Sequence, residues 1–262
     1  MDLEGLRLWP HHVSTIERTV ERVAADPAAR ALVLGGSLAH GYGTERSDVD
    51  VLVLVPSEEL ERRPPTFTWH DLSEREDCYV DGKHLDLDFL RAVAERGSDP
   101  SRWALEGARV LFSHEPGLAE LLAEAARFPI AEQERRLAAH AAQLCAWQWF
   151  YGEGTAKAEP YLQHAAVHHL VLHAGRLVLA ANARLYPFHK WLMREVESAP
   201  DRPEGLTERL RALLAAPSQA DVDSLVSELL AHYGLDEEAT RAGWGSRFRV
   251  DTELVWLYGR EL

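Results

Sequence analysis

The sequence predicts an α+β fold: a mixed sheet flanked by helices over residues 1–115, followed by a helical bundle over residues 116–262. Three observations predict it. Two short apolar runs, Ala31-Leu32-Val33-Leu34 and Val51-Leu52-Val53-Leu54-Val55, have the length and β-branched content of buried strands. A glycine turn, Gly35-Gly36-Ser37, and an Asp48-Val49-Asp50 triplet lie between them. From Pro116 onward the texture changes to alanine- and leucine-rich segments broken by Pro129, Gly152-Glu153-Gly154, Pro187, Pro200, Pro203 and Pro217.

The elements follow in order. Val13, Ile16, Val20, Val23 and Ala24 recur at helical spacing, so a helix is expected over 12–25, ending at Asp26-Pro27. A strand at 31–35 leads into the glycine turn, and a short helix is expected from Ser37 to Gly41 or Gly43. The next strand, 49–55, stops at Pro56, and the polar stretch 56–66 with Pro64-Pro65 reads as a loop or an edge segment. Asp77 to Val80, Asp81-Gly82 and His84 to Leu90 read as a hairpin, because Asp-Gly favours a tight primed turn. A further strand is expected at 109–112. Helices are expected at 116–127, 130–151, 159–184, 188–198, 205–215 and 218–233.

Composition narrows the function classes. Hydrophobic residues make up 46% and charged residues 27%, as in a globular chain. No apolar stretch reaches the roughly 18 residues of a membrane span. Met1-Asp2-Leu3-Glu4-Gly5 lacks the basic and apolar regions of a signal peptide. Cys78 and Cys145 are the only cysteines, and two isolated thiols suggest neither a disulfide framework nor a zinc site. A cytoplasmic protein is expected. The net charge is −14, with 16 basic and 26 acidic residues in 1–150 against 12 and 16 in 151–262. Such a field repels nucleic acid and favours a metal ion or a small cationic molecule.

The chemistry is concentrated around the glycine turn. Val49 separates Asp48 from Asp50, so both carboxylates point to one face of the second strand. Two carboxylates facing a glycine turn can hold magnesium against a phosphate chain, which points to phosphoryl or nucleotidyl transfer. The turn lets backbone N–H groups and the Ser37 hydroxyl approach phosphates closely. In His84-Leu85-Asp86-Leu87-Asp88-Phe89, read as a strand, Asp86 and Asp88 share one face, and either one beside strand 49–55 completes a three-carboxylate cluster. Neither a Walker A motif nor a dinucleotide Gly-x-Gly-x-x-Gly after a strand is present.

These residues carry a resemblance. Gly36-Ser37, ten residues, Asp48-Val49-Asp50 and a later Leu85-Asp86-Leu87 resemble the signature of the DNA polymerase β-type nucleotidyltransferases, over about residues 31–90. Among them, the arrangement is similar to small antibiotic nucleotidyltransferases that modify aminoglycosides or lincosamides. The resemblance implies that Asp48, Asp50 and Asp86 are catalytic and bind two magnesium ions, with Asp88 as the alternative third carboxylate. It implies that Gly36 and Ser37 contact the nucleoside triphosphate. The reaction implied is transfer of a nucleoside monophosphate, AMP from ATP or another nucleotide, to a hydroxyl of a small molecule, in an antibiotic-resistance setting. Nucleotidyl transfer to a protein or an RNA, and an inactive nucleotide sensor, are the alternatives.

The helical half carries weaker signals. Lys190, one of three lysines against 25 arginines, stands in the aromatic stretch Asn182 to Trp191. Similar helical domains place such a lysine against a phosphate, so the resemblance implies a nucleotide contact; otherwise Lys190 lies over packed Tyr186, Phe188 and Trp191. In a homodimer, it would reach the neighbouring subunit's site. His164/His168 and His169/His173 are i,i+4 pairs without the glutamate of a His-Glu-x-x-His motif, and are expected as a partly buried polar stripe. Trp147, Trp149, Phe150 and Tyr151 suit either stacking on a base or core packing. Glu153 and Glu159 flank an expected break between two helices, and one of them is a candidate general base.

Overall fold

The computed structural model describes residues 3–258. The chain divides into two compact units, Met1–Arg127 and Phe128–Leu262. The first is a mixed sheet with helices on its faces; the second is all helical.

In the first unit, β1 (Ala31–Leu34) lies between β2 (Val49–Leu54) and β5 (Arg109–Ser113), antiparallel to both. β2 pairs in parallel with β4 (Val80–Leu85), and β3 (Thr66–Trp69) closes that edge antiparallel to β4. The order is β3-β4-β2-β1-β5. Side-chain alternation divides the core in two. Leu32, Leu34, Val51 and Val53 face α1 (Pro10–Ala24), whose Ile16 and Val23 are buried against them. Ala31, Val33 and Leu54 face α4 (Leu87–Arg96) and α6 (Leu118–Ala125). Short helices α2 (Gly36–Ala39), α3 (Ser57–Leu60) and α5 (Asp99–Trp103) fill the connections. Helix α6 thus packs on the sheet, and the division between units falls after it, at Arg127 and Phe128.

The expected hairpin at Asp81-Gly82 does not form, and β4 runs straight through it. The ring of Phe67 on β3 covers Gly82: a Cβ there would lie 2.0 Å from the Phe67 Cζ. An aromatic side chain over a strand glycine supplies the packing that the glycine lacks. The loop expected over 56–66 contains α3, and the strand expected over 84–90 ends at Leu85, where α4 takes over.

The second unit is built on α7 (Gln133–Ala156) and α8 (Pro160–Ala181). Leu144, Leu170 and Leu177 are fully buried in its core. The Gly152–Gly154 segment was expected to break the helix; instead α7 continues to Ala156. Gly154 is where α8 comes close, since a Cβ there would lie 3.0 Å from the Gln163 amide nitrogen. Helices α9 (Leu192–Ser198), α10 (Leu206–Ala215) and α11 (Gln219–His232) contribute Val196, Leu210 and Val226 to the same core. Two helices not expected from sequence, α12 (Glu237–Asp251) and α13 (Val255–Tyr258), follow them.

The interior of this unit holds a polar pair. His140 on α7 and His173 on α8 are buried, with their Nδ1 atoms 3.3 Å apart, so one ring donates to the other. Burial, reinforced by the nearby Arg176 charge, pushes both pKa values well below the usual imidazole range. Unfolded histidine titrates near 6.5, so below that pH the unfolded chain takes up protons that the folded pair refuses. The stabilisation is full above about pH 6.5 and declines as pH falls, by up to about 1.4 kcal/mol per pH unit for each ring. We predict a Tm, followed by circular dichroism, that drops between about pH 7 and pH 5. The drop should be smaller in a His140→Leu, His173→Leu double variant.

Candidate active site

The site is assembled at the end of β1 and the start of β2. Gly35 donates its N–H to the Asp50 carbonyl at 2.9 Å, which docks the glycine turn on β2. Gly36 takes φ +63°, and a Cβ there would lie 1.7 Å from Asp50 Oδ2. Only glycine fits both the backbone and the approach of that carboxylate. Ser37 is half-buried next to it, on the short α2.

Asp48 is presented by a tight turn. Ser47 donates its N–H to the Thr44 carbonyl at 3.0 Å, and Thr44 donates its N–H to the Ser47 Oγ at 2.9 Å. Arg75 brackets the turn, pairing with Glu45 at 2.7 Å and with Asp77 at 2.8 Å. The guanidinium holds the Asp77 carboxyl at about 2, well below the usual carboxylate range.

The third carboxylate is Asp81. Asp50 and Asp81 are register partners across the parallel β2–β4 pair, so their side chains leave the same face of the sheet next to each other. One carboxylate oxygen from each of Asp48, Asp50 and Asp81 lies within 4.8 Å of the others, and all three residues are half-buried. Tyr79, two residues before Asp81, hydrogen-bonds the Asp48 carboxylate. The Asp48 charge, with burial and Asp81 behind it, pushes the Tyr79 phenol above its ordinary pKa.

Asp86 stands elsewhere. It is the N-cap of α4: its Oδ1 accepts from the Phe89 N–H at 2.8 Å, and its Oδ2 accepts from the Ser57 hydroxyl at 2.7 Å. Five residues beyond Asp81 along the strand is roughly 16 Å, the far end of the sheet. Asp88 is exposed and pairs with Arg91 at 2.7 Å. Neither joins Asp48 and Asp50, which corrects the expectation for Asp86 and for its alternative.

This geometry lies within a recognised sequence segment. Residues 16–98 match the family model of the nucleotidyltransferase domain. No curated protein matches the chain. The crystal structure of a nucleotidyltransferase-like protein from Exiguobacterium sibiricum 255-15 is similar in fold, with TM-score 0.50 and 14% identity. The similarity covers 92% of this chain and 80% of that one.

In the first unit, the three carboxylates offer hard oxygen donors, the set that suits magnesium or manganese. Asp50 Oδ2 occupies the space that a Cβ at Gly36 would fill, and all three aspartates remain partly exposed. The residues present fit a divalent cation of that class. Among the described residues, no helix is long and apolar enough to cross a membrane.

The candidates of the helical unit have structural partners. Lys190 is exposed, with Nζ 5.2 Å from the centroid of the Trp191 ring. Glu153 pairs with Lys157 at 2.6 Å, and Glu159 caps α8 by accepting from the Tyr161 N–H. Trp147 stacks on His169 at 4.0 Å, Tyr151 is buried in the core, and Trp149 is half exposed. His164 is exposed, and its Nδ1 contacts the Pro160 carbonyl at 2.7 Å.

Sequence reasoning missed Asp81 because it assigned the residue to a turn. The available signal was the alternation of buried Cys78 and Val80 continuing into Gly82. Two substitutions separate the two aspartates. Asp81→Asn is expected to weaken manganese binding, measured by calorimetry, at least about tenfold. Asp86→Ala should leave that binding unchanged and cost about 1 kcal/mol of stability through the lost helix cap. Gly36→Ala should also weaken manganese binding at least about tenfold, because the new Cβ collides with the Asp50 carboxylate.

Proposed function

We propose that this chain is a divalent-cation-dependent nucleotidyltransferase that moves a nucleoside monophosphate, AMP from ATP in the leading case, to a hydroxyl of a small acceptor, releasing pyrophosphate. The observation that carries the reading is the in-register placement of Asp50 and Asp81, with Asp48 beside them and Gly36 against Asp50. Asp48, Asp50 and Asp81 are the residues that would hold the metal ions. When bound, magnesium neutralises phosphate charge and stabilises the attacking and leaving oxygens of an in-line displacement.

The chain's own residues then orient the reaction. The glycine turn and the Ser37 hydroxyl bind the phosphate chain close to the carboxylates. A bond forms between the acceptor oxygen and the α-phosphorus, and the bond from that phosphorus to the bridging oxygen breaks. The pyrophosphate takes the electron pair, and the hydroxyl proton passes to water. Tyr79 holds Asp48 through its hydrogen bond, which limits rotation of that carboxylate. The acidic balance of residues 1–150 favours encounter with a cationic acceptor of the aminoglycoside type over a polyanion.

The test is incubation with each of four labelled nucleoside triphosphates, magnesium and a panel of aminoglycosides, with pyrophosphate and label followed separately. Pyrophosphate release that depends on an added small acceptor is the expected outcome. Label on protein or RNA redirects the acceptor to a macromolecule, and nucleotide binding without turnover overturns the enzymatic reading. Asp50→Asn and Asp81→Asn should each lower kcat by on the order of 10² or more. Transfer that persists undiminished in both rules out the metal assignment.

A further inference from the structure

A second set of metal-ligating side chains lies in the same unit, and its chemistry differs from that of the carboxylates. One ring nitrogen of His11, one of His12 and the Sγ of Cys78 all lie within 4.8 Å of one another. His12 and Cys78 are buried, and His11 is half-buried. The two rings are 4.1 Å apart, centroid to centroid. We propose that His11, His12 and Cys78 form a binding site for a thiophilic divalent cation of the zinc class, separate from the carboxylate cluster.

The donor set selects the metal. Thiolate and imidazole favour zinc or cobalt, whereas three carboxylates favour magnesium. Bonds of about 2.0–2.3 Å in a tetrahedron place one sulfur and two nitrogen ligand atoms about 3.3–3.6 Å apart, so closure from separations of at most 4.8 Å requires them to approach by no more than about 1.5 Å. Three protein ligands leave a fourth position for water. Both rings already have outer partners of the kind that orient metal-bound imidazole. His11 Nε2 contacts the Glu45 carbonyl at 2.9 Å, and His12 Nε2 contacts the Ser47 carbonyl at 3.0 Å. A neutral imidazole that donates from Nε2 keeps its lone pair on Nδ1. At His12 that lone pair accepts only a long, 3.4 Å bond from the Trp9 N–H. The Cys78 thiol loses its proton to the medium as its bond to the metal forms.

The position gives the site a consequence. His11 and His12 open α1, their carbonyl partners belong to the turn that presents Asp48, and Cys78 precedes Tyr79 and Asp81. A metal here ties three segments together at the base of the carboxylate cluster.

The test uses the full chain, stripped with a chelator under reducing conditions and titrated with cobalt(II) alone. One equivalent should produce a near-ultraviolet sulfur-to-cobalt charge-transfer band with tetrahedral d–d bands, both bleached by zinc. Cys145→Ala and Asp81→Asn should keep the sulfur band, which separates this site from the carboxylate cluster. Cys78→Ala should abolish it, and His11→Ala should weaken cobalt binding on the order of tenfold or more. Folding of each variant is checked by circular dichroism before titration. A folded wild-type chain without a sulfur-to-cobalt band at saturating cobalt overturns the site, as does a band that survives Cys78→Ala.

Discussion

The parallel pairing of β2 with β4 is the constraint on which the candidate active site depends. Register partners on parallel strands stand about 4.8 Å apart and send their side chains to the same face. The pairing of Val49 with Val80 and of Val51 with Gly82 therefore forces the Asp50 and Asp81 carboxylates together. Like charges at that distance repel, and free side chains would separate. The ladder prevents this, because Val49, Val51 and Val53 are buried beneath it and the backbone cannot shift without uncovering them. The sheet thus converts hydrophobic burial on one face into concentrated negative charge on the other. A cation that binds there meets ligands already in place, so little reorganisation opposes binding.

Two glycines enforce this arrangement for different reasons. Gly36 yields space: its positive φ turns the chain away from β1 while Asp50 Oδ2 occupies the volume of a Cβ. Gly82 receives a neighbour: the Phe67 ring lies over it and keeps the middle of β4 dry and straight. Without that ring, Asp81-Gly82 would favour a turn, and Asp81 would leave the register that places it opposite Asp50.

That competition explains what the sequence disclosed. β1, β2 and the Gly-Ser turn with Asp48 and Asp50 were legible because each rests on neighbours within a few residues: apolar runs, a turn signal, period-two spacing. Asp81 was not, because its role depends on a register with residues some thirty positions earlier and on a ring from β3. Asp86 was misplaced for a local reason that could have been read. Leu87, Leu90 and Val93 recur at helical rather than strand spacing, and an aspartate before such a run is an N-cap. In the helical unit, the alanine-rich segments gave the elements, but Gly152 and Gly154 read as a break when Gly154 marks a close helix–helix approach.

The polarity of the sheet face then limits where substrate chemistry can take place. On the face that carries Asp50, the strand ends at Leu52 and Leu54 under α4 and α6, while its beginning carries the carboxylates. One face is therefore core at one end and site at the other, and the change occurs within two residues of β2. Such an abrupt change requires Asp48 to be held from outside the ladder, since it precedes the strand. Its restraints are the Thr44–Ser47 turn, the Tyr79 hydroxyl and the contact of the His12 ring with the Ser47 carbonyl. Two of those three lead back to residues adjoining or belonging to the His11, His12 and Cys78 group. The fixity of Asp48 therefore depends on the start of α1 as much as on the sheet.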